Sequence, residues 1–201
     1  EGIDYLPLLV DYEEKLYASG QIKSSRFVKR DGRPTDDAVI VKRLIDHAIR
    51  PLFPKDYMDE VQVACTVLSL DPQSDPEFLS MVAVSACLQA SEIPWNGPVV
   101  SARVGYVNNS YVLCPPVYES KPDTKIDMMV SFVGEDRKFL AVEAEVNLLP
   151  EEKVMGAIDF ARENLESVVG LINDFTSEVN PSRENYVYVS KKVDATMLKE
   201  V

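Results

Sequence analysis

The sequence predicts an α+β domain, a mixed sheet with helices on one side and a second hairpin layer. Three observations carry this expectation. Short runs rich in β-branched residues alternate with stretches whose apolar residues recur every three or four positions. Two neighbouring strand pairs are joined by short turn sequences, Asn108-Asn109-Ser110 and Gly134-Glu135-Asp136, as in antiparallel hairpins. At 201 residues with 46% hydrophobic content, the chain is long enough for one sizeable core, or one domain plus an appendage.

In chain order, Ile3 to Tyr12 reads as a strand, with Pro7 suggesting an edge or a strand start. A polar, basic loop follows, and then a helix. Thr35 or Asp36 supplies its N-cap oxygen, Asp36 and Asp37 sit near the positive end of its dipole, and Pro51 and Pro54 close the far end. Val41, Leu44, Ile45, Ala48, Ile49 and Leu52 form its core face, and Arg43, His47 and Arg50 share a second, cationic stripe. Val61 to Leu70 is a buried strand and Glu77 to Ser91 a mostly buried helix, whose Ala and Ser residues allow close packing. Ile93 to Pro98 is a turn in which Trp95 is read as a packing anchor in preference to a base-stacking platform; Arg103 is open to either kind of reading. Strands follow over Val99 to Val107, Tyr111 to Cys114, Ile126 to Phe132 and Phe139 to Val146. Glu143 and Glu145 alternate onto one side of the last of these, as a solvated or salt-bridged pair. From Pro150 one long amphipathic helix carries Val154, Met155, Ile158, Ala161, Leu165, Val168, Val169 and Ile172 on its apolar side. Residues 1–175 are read as the domain and 176–201 as a linker and the start of another helix.

Composition narrows the function. No run of about 18 apolar residues and no signal-like segment is present, so no membrane partner or secretion is expected. Cys65, Cys87 and Cys114 are odd in number; they read as buried thiols of a cytoplasmic protein, with neither a disulfide framework nor a zinc site involving distant His47. The chain carries a formal net charge of −12. Against that background, Lys23 to Arg50 holds eight basic residues and four acidic ones, a net of +4. A basic island on an acidic protein is not needed for solubility. Phe27 lies among Arg26, Lys29, Arg30 and Arg33. Guanidinium groups match phosphate oxygens and an aromatic in a basic loop can stack on an unpaired base, so the island reads as a polyanion site. Pairing of these arginines with neighbouring acids is the competing explanation.

The segments DYEEKLYASG, FVKRDGRP and KRLIDHAIRPLFP, between Asp11 and Pro54, resemble the first RNase PH domain of the bacterial polynucleotide phosphorylase family. Glu60 to Pro76, Ile93 to Leu113 and Val142 to Ile158 continue the resemblance in the same order, over roughly Leu6 to Val169. It implies an RNase PH-type fold, like domain 2 of ribosomal protein S5, and further strands before residue 1 and a helical domain after residue 201. It also implies a phosphorolytic 3′-to-5′ exoribonuclease that uses Mg2+ and inorganic phosphate, assembles as a homotrimer around a pore, and contains a second RNase PH domain in the same polypeptide. On that reading Phe27, Lys29, Arg30 and Arg33 contact single-stranded RNA, and Arg43 and Arg50 form a second layer. His47 stands where the family usually has Arg, leaving a possible phosphate contact that fades above about pH 6.5.

The resemblance also carries a departure. Where catalytic members have Asp, one residue, then Lys on a strand, this chain has Asp127, Met128 and Met129. Glu119 and Asp123 do not match the family's second metal-binding acid. Phosphorolysis needs carboxylates for a divalent ion and cations for phosphate, and a thioether serves neither purpose. The segment is therefore expected to have no catalytic residues and no metal or cofactor of its own. The alternative is a stand-alone scaffold or oligomerisation domain of the same fold.

Overall fold

The computed structural model describes residues 5–21, 34–71, 74–115 and 124–190. The α+β reading holds. The strands run in both directions and divide between two sheets. β1 (Leu8–Glu14) and β2 (Val61–Val67) form a parallel pair, with Leu8 opposite Val61. β3 (Val99–Val107), β4 (Ser110–Leu113), β5 (Ile126–Val133) and β6 (Lys138–Val146) form an antiparallel sheet in the order β4-β3-β5-β6. The helices are α1 (Asp36–Ile49), α2 (Pro76–Ala90), α3 (Glu151–Asn164) and α4 (Glu166–Val179). None of the described helices is long and apolar enough to cross a membrane.

Local chemistry sets the boundaries. The Thr35 side chain caps α1 by accepting from the Ala38 amide, at 3.2 Å. Asp75 caps α2 by accepting from the Glu77 and Phe78 amides. The β3-β4 turn places Asn108 and Asn109 at φ of 50° and 60°, the left-handed region that short side-chain amides tolerate and that a two-residue hairpin of this hand requires.

Two hydrophobic clusters fill the interior. The first gathers Val10 and Tyr12 of β1, Ile45 and Ile49 of α1, Met81 and Leu88 of α2, Phe53, Tyr57 and Trp95. The second gathers Val104, Val130 and Phe132 of the larger sheet with Ala161, Val169 and Ile172 of the C-terminal helices. Between them lies α2, sending Met81, Val84 and Leu88 one way and Phe78, Val82 and Ala86 the other. A helix covered on both sides must be apolar nearly all round, which is why its sequence shows little amphipathic contrast. Its small residues let the sheet approach closely: fully buried Ser85 accepts from the Val99 amide at 2.9 Å.

Three sequence expectations change. The long C-terminal helix is two, broken at Leu165, whose side chain is fully buried and whose backbone leaves helical geometry at φ −96°, ψ 2°. Helix α4 runs past residue 176 to Val179, and the residues after it lie back on the domain. The thiols are less buried than their apolar neighbours suggest: Cys87 is exposed, and Cys65 and Cys114 are half-buried. The helix anticipated from Asp194 lies outside the described residues.

Candidate functional site

Trp95 settles first, because it is removed from candidacy. It is 4% exposed, and its indole Nε1 donates to the Ile49 carbonyl at 3.1 Å. A buried indole with a satisfied N–H anchors the end of α1 and offers no face for stacking.

A cleft of about 560 Å³ lies between α1, the start of α2 and the larger sheet. From α1 come Asp37, Ile40, Arg43, Leu44 and His47; Glu77, Arg103, Asp127, Met129 and Glu143 to Glu145 complete its walls. The period of α1 explains the first group, since residues three and four apart share a face. Strand alternation explains the second, since Asp127 and Met129 project to the same side of β5.

On the floor of this cleft Arg103 meets Asp127 bidentately. Nε donates to Oδ1 at 2.7 Å and Nη2 to Oδ2 at 2.5 Å. The two residues lie diagonally on adjacent strands, Arg103 opposite Met129 and Asp127 opposite Gly105. Both side chains are largely shielded, at 18% and 31% exposure. Hydrogen bonding to Asp127 is the main reason that the Arg103 guanidinium holds its proton more tightly than a free one. Burial, together with the charges of Asp75, Asp127 and Asp37, raises the pKa of Glu77 despite the opposing pull of Arg103. The Arg103 question left open by the sequence is answered: it is an internal partner of the acidic floor.

This arrangement bears on metal chemistry. Both Asp127 oxygens already accept from a guanidinium, and the next side chain on that face of β5 is the Met129 thioether. A hard divalent ion wants free carboxylate oxygens, so the residues present do not fit one at this floor. Among the described residues, no three or more His, Cys, Asp or Glu side chains converge as a metal cluster.

The cationic stripe divides. Arg43 and His47 line the cleft, and His47 Nδ1 lies 3.3 Å from Glu143 Oε1, a contact that is an ion pair only when the imidazole is protonated. Arg50 does not line the cleft. Its backbone is still helical, at φ −55° and ψ −44° with its amide bonded to the Asp46 carbonyl, so the backbone period is not what removes it; its side chain is drawn to other partners. Its guanidinium donates to Asp46 at 2.6 and 2.9 Å and to the Leu6 and Leu8 carbonyls at 3.2 Å each. It ties α1 to β1, which is a structural use of charge. The cleft itself carries five carboxylates, Asp37, Glu77, Asp127, Glu143 and Glu145, against Arg43, Arg103 and His47, so its local field is not that of a simple phosphate surface.

Phe27, Lys29, Arg30 and Arg33 lie outside the described residues, as do Glu119 and Asp123. The described chain stops on one side at Gln21, whose amide bonds the Leu16 carbonyl, and resumes at Pro34, just before the Thr35 cap. The N-terminal half of α1, capped by Thr35, supplies Asp37 and Ile40 to the cleft. The feature that sequence reading missed is the Arg103–Asp127 pair, which only the β3-β5 register brings together.

Residues 1–94 match the family model described as 3′ exoribonuclease family, domain 1, the RNase PH domain. The match ends before β3, so it covers α1, the parallel strand pair and α2, and the observed α+β fold is of that RNase PH type.

Proposed function

We propose that this chain is the non-catalytic RNase PH domain of a phosphorolytic 3′-to-5′ exoribonuclease, a polyribonucleotide nucleotidyltransferase of the polynucleotide phosphorylase kind. The observation that carries the non-catalytic part is the closed floor of the cleft: Asp127 is held by Arg103, and Met129 stands where the resemblance calls for a lysine. The family match over residues 1–94 supports the exoribonuclease context. In this reading the enzyme is a cytoplasmic homotrimer that degrades mRNA. Mg2+ and inorganic phosphate act in a second RNase PH domain of the same polypeptide, and this domain guides single-stranded RNA towards it.

Guidance rests on the segment before α1. Lys29, Arg30 and Arg33 hold backbone phosphates and Phe27 stacks on a base. Arg43, which lines the cleft, adds positive charge to theirs, and His47 adds more only when protonated. Arg50 is left out of the RNA path, since its donors are engaged within the fold.

The test is the salt dependence of RNA binding and the processivity of the full-length enzyme carrying Arg30→Ala and Arg33→Ala. Each phosphate no longer neutralised should reduce the slope of log affinity against log salt by about 0.7 for a single strand. Unchanged slope together with unchanged processivity would reject RNA guidance by this segment. A second reading, a scaffold domain without RNA work, is favoured by the −12 net charge and by the carboxylate majority in the cleft. It requires that reversing charge at Lys29, Arg30 and Arg33 leaves RNA turnover intact.

A further inference from the structure

The residues that follow α4 make an unusual set of contacts for a stretch without regular structure. Asn180 Nδ2 donates to the Ala90 carbonyl at 3.0 Å, at the end of α2. Arg183 reaches the Ser91 and Ile93 carbonyls at 3.0 and 3.3 Å, and the Tyr186 amide bonds the Glu92 carbonyl at 2.6 Å. Farther on, the Tyr188 hydroxyl donates to Asp56 Oδ1 at 3.0 Å, and the Ser190 hydroxyl donates to Asp56 Oδ2. The Tyr188 ring also stands edge-on to buried Tyr57, centroids 4.9 Å apart. Asp56 is itself only 8% exposed.

We propose that residues 180–190 are a detachable strap, with Asp56 as its catch, that fastens the end of α4 onto the first hydrophobic cluster and opens while both clusters stay folded. Three features separate the strap from the core it crosses. It contributes no helix or strand between Pro181 and Ser190. Its alternate side chains face solvent, Val187 at 90% and Val189 at 81% exposure, so Tyr188 is the apolar anchor between them. Its remaining hold is through hydrogen bonds whose partners on the domain are acceptors, the Asp56 carboxylate and the carbonyls of residues 90 to 93. Water satisfies those acceptors when the strap lifts, so opening costs a fraction of global unfolding.

The position gives the strap a mechanical use. Helix α4 belongs to the second cluster through Val169 and Ile172, whereas Tyr188 packs on the first. Closed, the strap couples the two clusters; open, it does not. The strap stands independently of any RNA role.

Native-state hydrogen exchange tests this. In the unaltered chain the Tyr186 amide should exchange at least about 10-fold faster than the Val130 amide in β5, with little dependence on low denaturant, the mark of local opening. In the Tyr188→Phe, Ser190→Ala double variant, which keeps the ring but removes both donors to Asp56, Tyr186 exchange should rise by about a further 10-fold or more with Val130 unchanged. Exchange of Tyr186 only together with Val130, at the same rate and denaturant dependence, would overturn the proposal. So would a double variant in which strap protection is unaltered.

Discussion

Replacing Arg103 with Met removes the cation from the cleft floor and leaves its hydrocarbon volume roughly in place. Two charge-assisted hydrogen bonds to Asp127 disappear, each worth about 1.5–3 kcal/mol in a protein. Complete removal of one partner from a buried pair costs about 3–5 kcal/mol, but these side chains keep 18% and 31% exposure, so water recovers part. A net cost of about 2–3 kcal/mol follows. For a chain of this size that is roughly 5–10 °C in Tm. The reciprocal change, Asp127→Asn, should cost less, because Arg103 retains the charges of Glu77 and Asp75 nearby, whereas Asp127 without Arg103 faces Glu77 with no compensation. Urea unfolding of both variants and of the double variant measures the singles and their coupling. A cost below about 0.5 kcal/mol for Arg103→Met, or an Asp127→Asn cost equal to or above it, would refute the closed-floor reasoning, since an exposed ion pair is worth about that little.

Other consequences follow from the same geometry. Met129→Lys should not confer phosphate-dependent release of nucleoside diphosphates from an oligoadenylate with magnesium, because Asp127 stays engaged by Arg103; release from that variant would show that a single lysine suffices. Glu77 has a folded pKa raised mainly by burial, so its contribution favours folding below the unfolded carboxyl value and is lost as pH rises through the folded one. Glu77→Gln should therefore be relatively more stable at pH 7 than at about pH 3.5, read as the shift of urea midpoint between the two. Gly97 has no room for a methyl, since a Cβ there would lie 2.1 Å from the buried Trp95 ring; Gly97→Ala should cost about 1–3 kcal/mol as an overpacked site. Asn109→Ala, at φ 60° in the β3-β4 turn, should cost about 1 kcal/mol by thermal unfolding, and Asn109→Gly close to nothing.

Elements whose signals are local were legible. The Thr35 cap, the paired asparagines and the strand pair from Ile126 to Val146 each depend on neighbours within a few residues. The break at Leu165 was not, because a leucine continues the apolar period on either side and only the burial of that side chain at the α3-α4 junction requires the bend. The cationic stripe was half legible: Arg43 and His47 follow the α1 period into the cleft, but the Arg50 side chain is taken by Asp46 and by the Leu6 and Leu8 carbonyls, 44 and 42 positions away in sequence. Arg103 and Asp127 are 24 positions apart, and their meeting depends on the register of two strands. No single-sequence pattern encodes it. The linker-like polarity of residues 181–186 likewise concealed that their donors find main-chain acceptors in the loop just after α2.

Trp95 is the single tryptophan of the chain, and its placement makes it an internal gauge. The ring lies in the first cluster beside Val99, the residue at which β3 begins, and the next residue, Val100, already belongs to the second cluster. One strand is thus a shared wall, and loosening either half perturbs the surroundings of one indole. Its emission should shift to longer wavelength once, at the concentration of urea where both clusters dissolve. Two separate shifts would mean that the wall can part from one cluster while it still holds the other.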